Sequence, residues 1–377
     1  MNYSRARILA LAAALLGGLS LPAAAQNNNI NQDNTSYGTT SAEFLLFGAG
    51  ARGTALGGAF AAIATDVSSI YYNPGGTALI PKAGATIGTY DYIADTRYNW
   101  GGIVFPFSGG SRAIGLQVGT FGFKDQPVYT VEQPEGTGSV YSVNETFVGL
   151  TLSQNFSDRF SAGLTAKGVF DQLGEASGQA FAVDFGTNFH SQLSGHPIQF
   201  SFVLTNLGTN LTYSGNALDV ATPRDPIPNE PPVPSEGQPS ELRTSGFNLP
   251  TTFRVGLAYD LLTAESSRLT LLGDFNQPNN NRAGFSGGAE WASQHLGGSP
   301  FGFAVRGSYS YLGSNNLSPT NPLSQTALSD EENLQGLAFG GGLNYGSGGG
   351  FNVGVDYAWK YLGVLGGTNF FSITVGW

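Results

Sequence analysis

The C-terminal stretch Phe351-Asn-Val-Gly-Val-Asp-Tyr-Ala-Trp-Lys-Tyr361 and, after a short break, Phe371-Ser-Ile-Thr-Val-Gly-Trp377 alternate apolar and polar residues with a period of two. Phe351, Val353, Val355, Tyr357, Trp359 and Tyr361 share one face, while Asn352, Gly354, Asp356, Ala358 and Lys360 share the other, as in a strand with two unlike sides. The pattern recurs upstream over 253–260 and 160–167. Segments of this kind cover 84–94, 97–106, 112–123, 140–156, 159–173, 178–190, 197–206, 251–261, 268–277, 281–292, 301–312, 333–345, 350–361 and 368–377. They amount to about 14 strands, an even number that suits a transmembrane barrel, and most are long enough for a tilted membrane strand.

Composition separates this reading from a soluble β-sandwich, whose polar faces would carry many Lys and Glu. Only 11% of the 377 residues are charged, against about 25% in ordinary soluble domains. Glycine occupies 55 positions and aromatics 12% of the chain. The balance of 16 basic against 26 acidic residues excludes a nucleic-acid surface, which needs clustered cations. With no cysteine there is no disulfide, no thiolate metal site and no lipid-modified Cys. Arg5 and Arg7 precede an apolar run over 8–21, and Ala23-Ala24-Ala25 supplies small residues for cleavage, so 1–25 reads as a signal peptide. An exported chain without a spanning helix can satisfy its backbone in a membrane only as a closed barrel. The expected location is therefore the outer membrane, with its lipid as one partner.

The connections test the strand count independently, because such barrels keep short turns on the periplasmic side and long loops outside. The long connections 124–139, 207–250 and 313–332 all follow odd-numbered strands, and the turns 157–158 and 346–349 fall on the other side. Seven prolines between Pro223 and Pro239 predict an extended excursion with no sheet of its own, a lid or docking arm.

A barrel of this size has a lumen to fill. Residues 26–33 are rich in Asn and Gln, but 41–80 mix small residues with Phe44, Leu45, Leu46, Phe47, Leu56, Phe60 and Ile63. This composition makes 26–83 an N-terminal plug segment ahead of a barrel over 84–377. A short helix is expected over 54–64 and another turn, capped by Asp66, up to Tyr72, before Asn73-Pro74-Gly75-Gly76 forces a bend. A charge on the lipid face would cost about 2–4 kcal/mol at the midplane. Lys167, Asp184, Arg254, Asp260, Arg306, Asp356 and Lys360 should therefore face the lumen, where Arg52 or Asp66 of the plug could pair with some of them.

The stretch Gly50-Ala-Arg-Gly-Thr-Ala-Leu-Gly-Gly-Ala-Phe-Ala-Ala-Ile-Ala-Thr-Asp-Val-Ser-Ser-Ile-Tyr-Tyr-Asn-Pro-Gly-Gly76 resembles the N-terminal signature of the PorV/PorQ proteins and, more distantly, of FadL-type transporters. Gly50, Arg52, Gly53, Gly57, Gly58, Asp66, Asn73 and Pro74 carry the match. Leu204-Thr-Asn-Leu-Gly208 and Leu249-Pro-Thr-Thr-Phe-Arg-Val-Gly-Leu-Ala-Tyr259 are similar to stretches flanking the mid-barrel loop of the same proteins. One position departs: the usual Asn-Pro-Ala reads Asn73-Pro74-Gly75. The resemblance implies a FadL-like barrel of 14 strands with an N-terminal plug. It also implies a non-enzymatic accessory of protein secretion, of type IX kind, acting with a translocon. The alternative it leaves open is a transporter for small hydrophobic molecules, with Phe44, Phe47 and Phe60 along the route. The terminal Trp377 resembles the aromatic that barrel-assembly machinery recognises.

Motifs for other chemistries lack their context. Gly48-Ala-Gly-Ala-Arg-Gly53 fits the dinucleotide pattern without a βαβ unit. Gly284-Phe-Ser-Gly-Gly288 fits the nucleophile elbow but lies within an alternating strand, so Ser286 reads as a lumen residue. His190, His196 and His295 fall near turns and show no zinc spacing. No catalytic residue, metal or cofactor is expected.

Overall fold

The computed structural model describes residues 38–222, 238–281, 283–294, 298–312, 336–346 and 350–377. The signal peptide, the amide-rich 26–33, the prolines before Pro239, the loop 313–332, the turn 347–349 and His295 lie outside the described residues.

The chain forms a closed antiparallel barrel of 14 strands. They are β1 (Gly84–Asp91), β2 (Arg97–Phe107), β3 (Arg112–Pro127), β4 (Val140–Ser157), β5 (Phe160–Leu173), β6 (Ala176–Leu193) and β7 (His196–Gly208). The second half comprises β8 (Thr252–Thr263), β9 (Ser267–Pro278), β10 (Gly284–Ser293), β11 (Phe301–Leu312), β12 (Leu337–Gly346), β13 (Asn352–Tyr361) and β14 (Gly367–Gly376). Each strand pairs with its sequence neighbours, and β14 pairs back onto β1 from Gly84↔Gly376 to Thr89↔Phe371, so the 14 strands close on themselves. The C-terminal alternation thus sits at the closing seam.

Alternation sorts the two faces. On β5, Ser161, Gly163, Thr165, Lys167, Val169 and Asp171 point inward and are buried, while Phe160, Leu164 and Phe170 stand outside. Leu164 is 57% exposed and Leu343 on β12 is 70% exposed, as suits an outer wall solvated by lipid tails. Local turn chemistry fixes the hairpins. Ser194 and Gly195 both take positive φ (54° and 84°) in a two-residue turn, which aligns Leu193 with His196 and sets the β6–β7 register.

The β7–β8 loop is not the sheetless excursion its prolines predict. Thr212–Ser214 extends the sheet along β6, and Asp219–Thr222 pairs with Gln238–Glu241. Six of the seven prolines fall in the sequence between these two strands, and only Pro239, opposite Ala221, lies within the pairing.

Residues 41–80 lie inside the barrel as short pieces: a 3₁₀ turn (Glu43–Leu46), α1 (Gly50–Ala55), α2 (Ser69–Tyr72) and a second 3₁₀ turn (Pro74–Leu79). The helix expected over 54–64 begins earlier and stops at Ala55. Gly57 and Gly58 then take positive φ (61° and 82°), and a side chain at Gly57 would strike the Ser310 hydroxyl of β11 at 2.6 Å. Asp66 Oδ1 accepts from the Ser68 amide at 2.9 Å, ahead of α2. Backbone closeness is tightest at Gly76, where a Cβ would lie 1.8 Å from the Ala64 carbonyl oxygen. Gly76→Ala is therefore expected to lower stability by about 1–3 kcal/mol or more through overpacking. Gly307→Ala, with nothing within 4 Å of its Cβ, should be near neutral. Thermal unfolding in detergent, read as loss of the compact electrophoretic band, compares the two.

Candidate functional site in the lumen

The interior charges form two separate networks. In the first, the Arg52 guanidinium of α1 donates to Glu290 on β10 through Nε (2.8 Å) and Nη2 (2.8 Å), and to Asp66 through Nη1 (2.7 Å). Arg306 on β11 joins from the wall, donating to Glu290 Oε2 at 2.7 Å and to Asp356 on β13 at 2.6 Å. Arg268 on β9 stands 3.8 Å from Glu290 and 3.9 Å from Asp260, which also accepts from Thr270 at 2.6 Å. Burial opposes the charge on Arg52, but Glu290 and Asp66 outweigh it and hold its pKa above the ordinary guanidinium value. One carboxylate thus ties the plug to the wall.

The second network is in the wall. Lys167 on β5 pairs with Asp184 on β6 at 2.8 Å, both almost fully buried. The β6–β7 register slips between Val183 and Phe185, and Asp184 Oδ1 replaces the missing ladder acceptor by taking the Asn206 amide at 2.8 Å. Asn206 adopts φ 59° there, inside the Leu204–Gly208 stretch singled out above.

The Asn-Pro-Gly-Gly bend anchors the other end of the plug. Asn73 Nδ2 donates to the carbonyls of Ala61 (2.7 Å) and Thr187 (3.1 Å), while its Oδ1 accepts from the Gly75 amide at 3.0 Å. A Cβ on Gly75 would lie 2.7 Å from the Gly186 carbonyl oxygen, and one on Gly163 would lie 2.3 Å from the Pro74 carbonyl oxygen. Glycine at position 75 is what lets the bend seat directly on β6. Gly53 likewise leaves room for the Tyr72 ring, which a Cβ would meet at 2.5 Å.

At the end of the barrel bearing the long connections, the lumen is aromatic. Phe47 touches Tyr90, Tyr92, Tyr98 and Phe121 at ring-centre distances of 4.7–6.4 Å, and Phe44 lies against Phe147. Arg254 on β8 and Lys360 on β13 share the parity of the buried Ala258 and Ala358 and so face the lumen. The other described cations of the lumen, Arg52, Lys167, Arg268 and Arg306, have carboxylates within 4 Å. Among the described residues Arg254 and Lys360 have no ion pair, and the Arg254 Nε is buried without a partner there.

Structure also disposes of the competing motifs. The Gly48 and Ala49 amides, which a dinucleotide phosphate would need, already donate to the Tyr71 and Tyr72 hydroxyls at 2.9 and 3.1 Å. Burial pushes the Tyr71 pKa up, and its hydroxyl donates onward to the Leu45 carbonyl at 2.7 Å. Ser286 faces inward on β10 and bonds Ser310 at 3.1 Å, with no histidine beside it in either bond. His190 and His196 sit at the short-turn end. Among the described residues no group of three or more acidic or histidine side chains could hold a metal.

Sequence reasoning passed over Glu290, Asp274, Arg268, Glu145 and Asp171, all lumen-facing. Asp274 accepts from the Ala61 amide of the plug at 3.2 Å. Each was open to the same alternation argument that selected Arg306.

No family model matches the chain, and no curated protein matches it. Several solved structures do. The toluene transporter TbuX of Ralstonia pickettii is similar over 88% of this chain and 98% of its own, at 11% identity and a TM-score of 0.49. A FadL homologue of Pseudomonas aeruginosa (84% and 95%, 10% identity, TM-score 0.46) and the toluene transporter TodX of Pseudomonas putida (87% and 96%, 9% identity, TM-score 0.48) also match.

Proposed function

We propose that this protein is a plugged outer-membrane conduit for small molecules that combine an apolar body with an acidic group, the long connections facing the cell surface. The observation that carries the reading is the pair Arg254 and Lys360, without an ion pair among the described residues at the aromatic-lined end, while the other described lumen cations are neutralised. A carboxylate arriving there would find donors that no described protein group occupies, and the rings of Phe47, Tyr90 and Phe121 would receive its apolar part. Passage then requires the plug to shift, because Arg52, Asn73 and Asp274 couple it to the wall from the mouth side to the turn side.

Native mass spectrometry of protein extracted in mild detergent and exposed to a medium-chain carboxylate, or to the alcohol of equal length, tests this. The carboxylate adduct should dominate, and Arg254→Gln with Lys360→Gln should weaken it roughly ten- to a hundredfold, the worth of one charged hydrogen bond. Equal retention of acid and alcohol by the native protein would sink the reading. A stoichiometric complex with a much larger barrel, and no adduct, would instead restore the secretion accessory that the PorV/PorQ resemblance implies.

A further inference from the structure

Contacts of the first described residues show at which end the chain enters the barrel. Thr40 forms a parallel bridge with Asn248, and the Ser41 amide donates to the Asn248 carbonyl at 3.0 Å. The Ser41 hydroxyl lies 2.7 Å from that of Tyr213, which donates to Asp171. Glu43 accepts from Asn280 Nδ2 at 2.7 and 2.8 Å. Asn248 and Tyr213 belong to the β7–β8 loop and Asn280 to the β9–β10 connection, both at the long-connection end. From there the chain descends past Phe147 and Glu290 to Thr187, and Ala83 meets the Trp377 amide at the short-turn end.

We infer that the plug is threaded from the outside inward, so that Thr39–Glu43 is presented at the cell surface and clasped there by the β7–β8 loop. Any molecule that displaces the loop then acts on the plug itself. The inference rests on the orientation adopted above, with the long connections outside. The clasp is the weak end of the plug: Gly38, Thr39 and Glu43 are exposed, whereas Glu290 and Asn73 are buried. Opening should begin where hydrogen bonds meet solvent.

Because the chain has no cysteine, single-cysteine variants of the full-length protein report cleanly on sidedness. Thr39→Cys is labelled with a membrane-impermeant maleimide in intact cells, beside Glu132→Cys on the β3–β4 connection and Asp158→Cys on the β4–β5 turn, all exposed positions. Labelling of Thr39→Cys together with Glu132→Cys, and of Asp158→Cys only after permeabilisation, is expected. Thr39→Cys behaving like Asp158→Cys, or remaining unlabelled in both conditions, overturns the threading while leaving the orientation intact. Glu132→Cys and Thr39→Cys both needing permeabilisation would show that the orientation itself has failed, and the surface assignment with it. For the coupling, Tyr213→Phe with Glu43→Gln should raise labelling of Leu46→Cys from outside by roughly tenfold, as expected for losing a hydrogen bond or two. An unchanged rate, in protein that still runs as a folded barrel, overturns the coupling.

Discussion

Glu290→Gln should free the plug while leaving the barrel closed. Glu290 accepts two hydrogen bonds from Arg52 and one from Arg306 and is 2% exposed, so its charge is balanced by groups rather than by water. Removing that charge leaves Arg52 and Arg306 facing a neutral amide, with Arg268 close by. Breaking a buried pair by deleting one partner typically costs about 3–5 kcal/mol. The strand ladders do not pass through the Glu290 side chain, so the loss should fall on the plug. Trypsin added to detergent-solubilised protein should then cut at Arg52 in the variant and not in the parent, with the compact barrel band retained. Equal protection in both would mean that the Asn73 bend and glycine packing hold the plug alone. Asp66→Ala should act more weakly, because Asp66 is 32% exposed and solvent screens its pairing with Arg52.

The second large effect concerns the wall. Lys167→Met leaves Asp184, which is 0% exposed, with its charge uncompensated at the one place where the β6–β7 ladder slips. A loss of about 3–5 kcal/mol is expected, seen as a lower unfolding temperature of the whole barrel. Asp184→Asn in the same background should recover much of it. The amide keeps an acceptor for the Asn206 N–H, and no buried charge remains. If Lys167→Met alone unfolds like the parent, the pair contributes nothing to the wall. Failure of the double variant to recover would point instead to the Lys167 bond with Asn206, which Met cannot make.

How far each feature could be read in the chain depends on how local its cause is. The face of a strand residue follows from its parity alone, which is why Lys167, Asp184, Asp260, Arg306 and Asp356 could be placed before any coordinates, and why β1 to β14 fall close to the alternating segments. Glu290 obeys the same parity with Gly284, Ser286 and Gly288 but sits beside a glycine-rich motif that suggested other chemistry. The early end of α1 was less accessible, because Gly57 and Gly58 are tolerant of several conformations and only Ser308 and Ser310 across the lumen select one.

The sequence by itself determined a barrel with an apolar outside and a polar lumen, through a period of two that each strand expresses alone and a parity of loops that needs only counting. Tertiary structure decided which charges meet. Arg52 and Glu290 are 238 residues apart, and nothing between them encodes their approach. It follows from ring closure at β1–β14 and from glycines that let the plug backbone lie against the wall, bringing α1 within reach of β10 and β11. Closure also leaves Arg254 and Lys360 without an ion-paired carboxylate among the described residues, and that sets the chemistry proposed here.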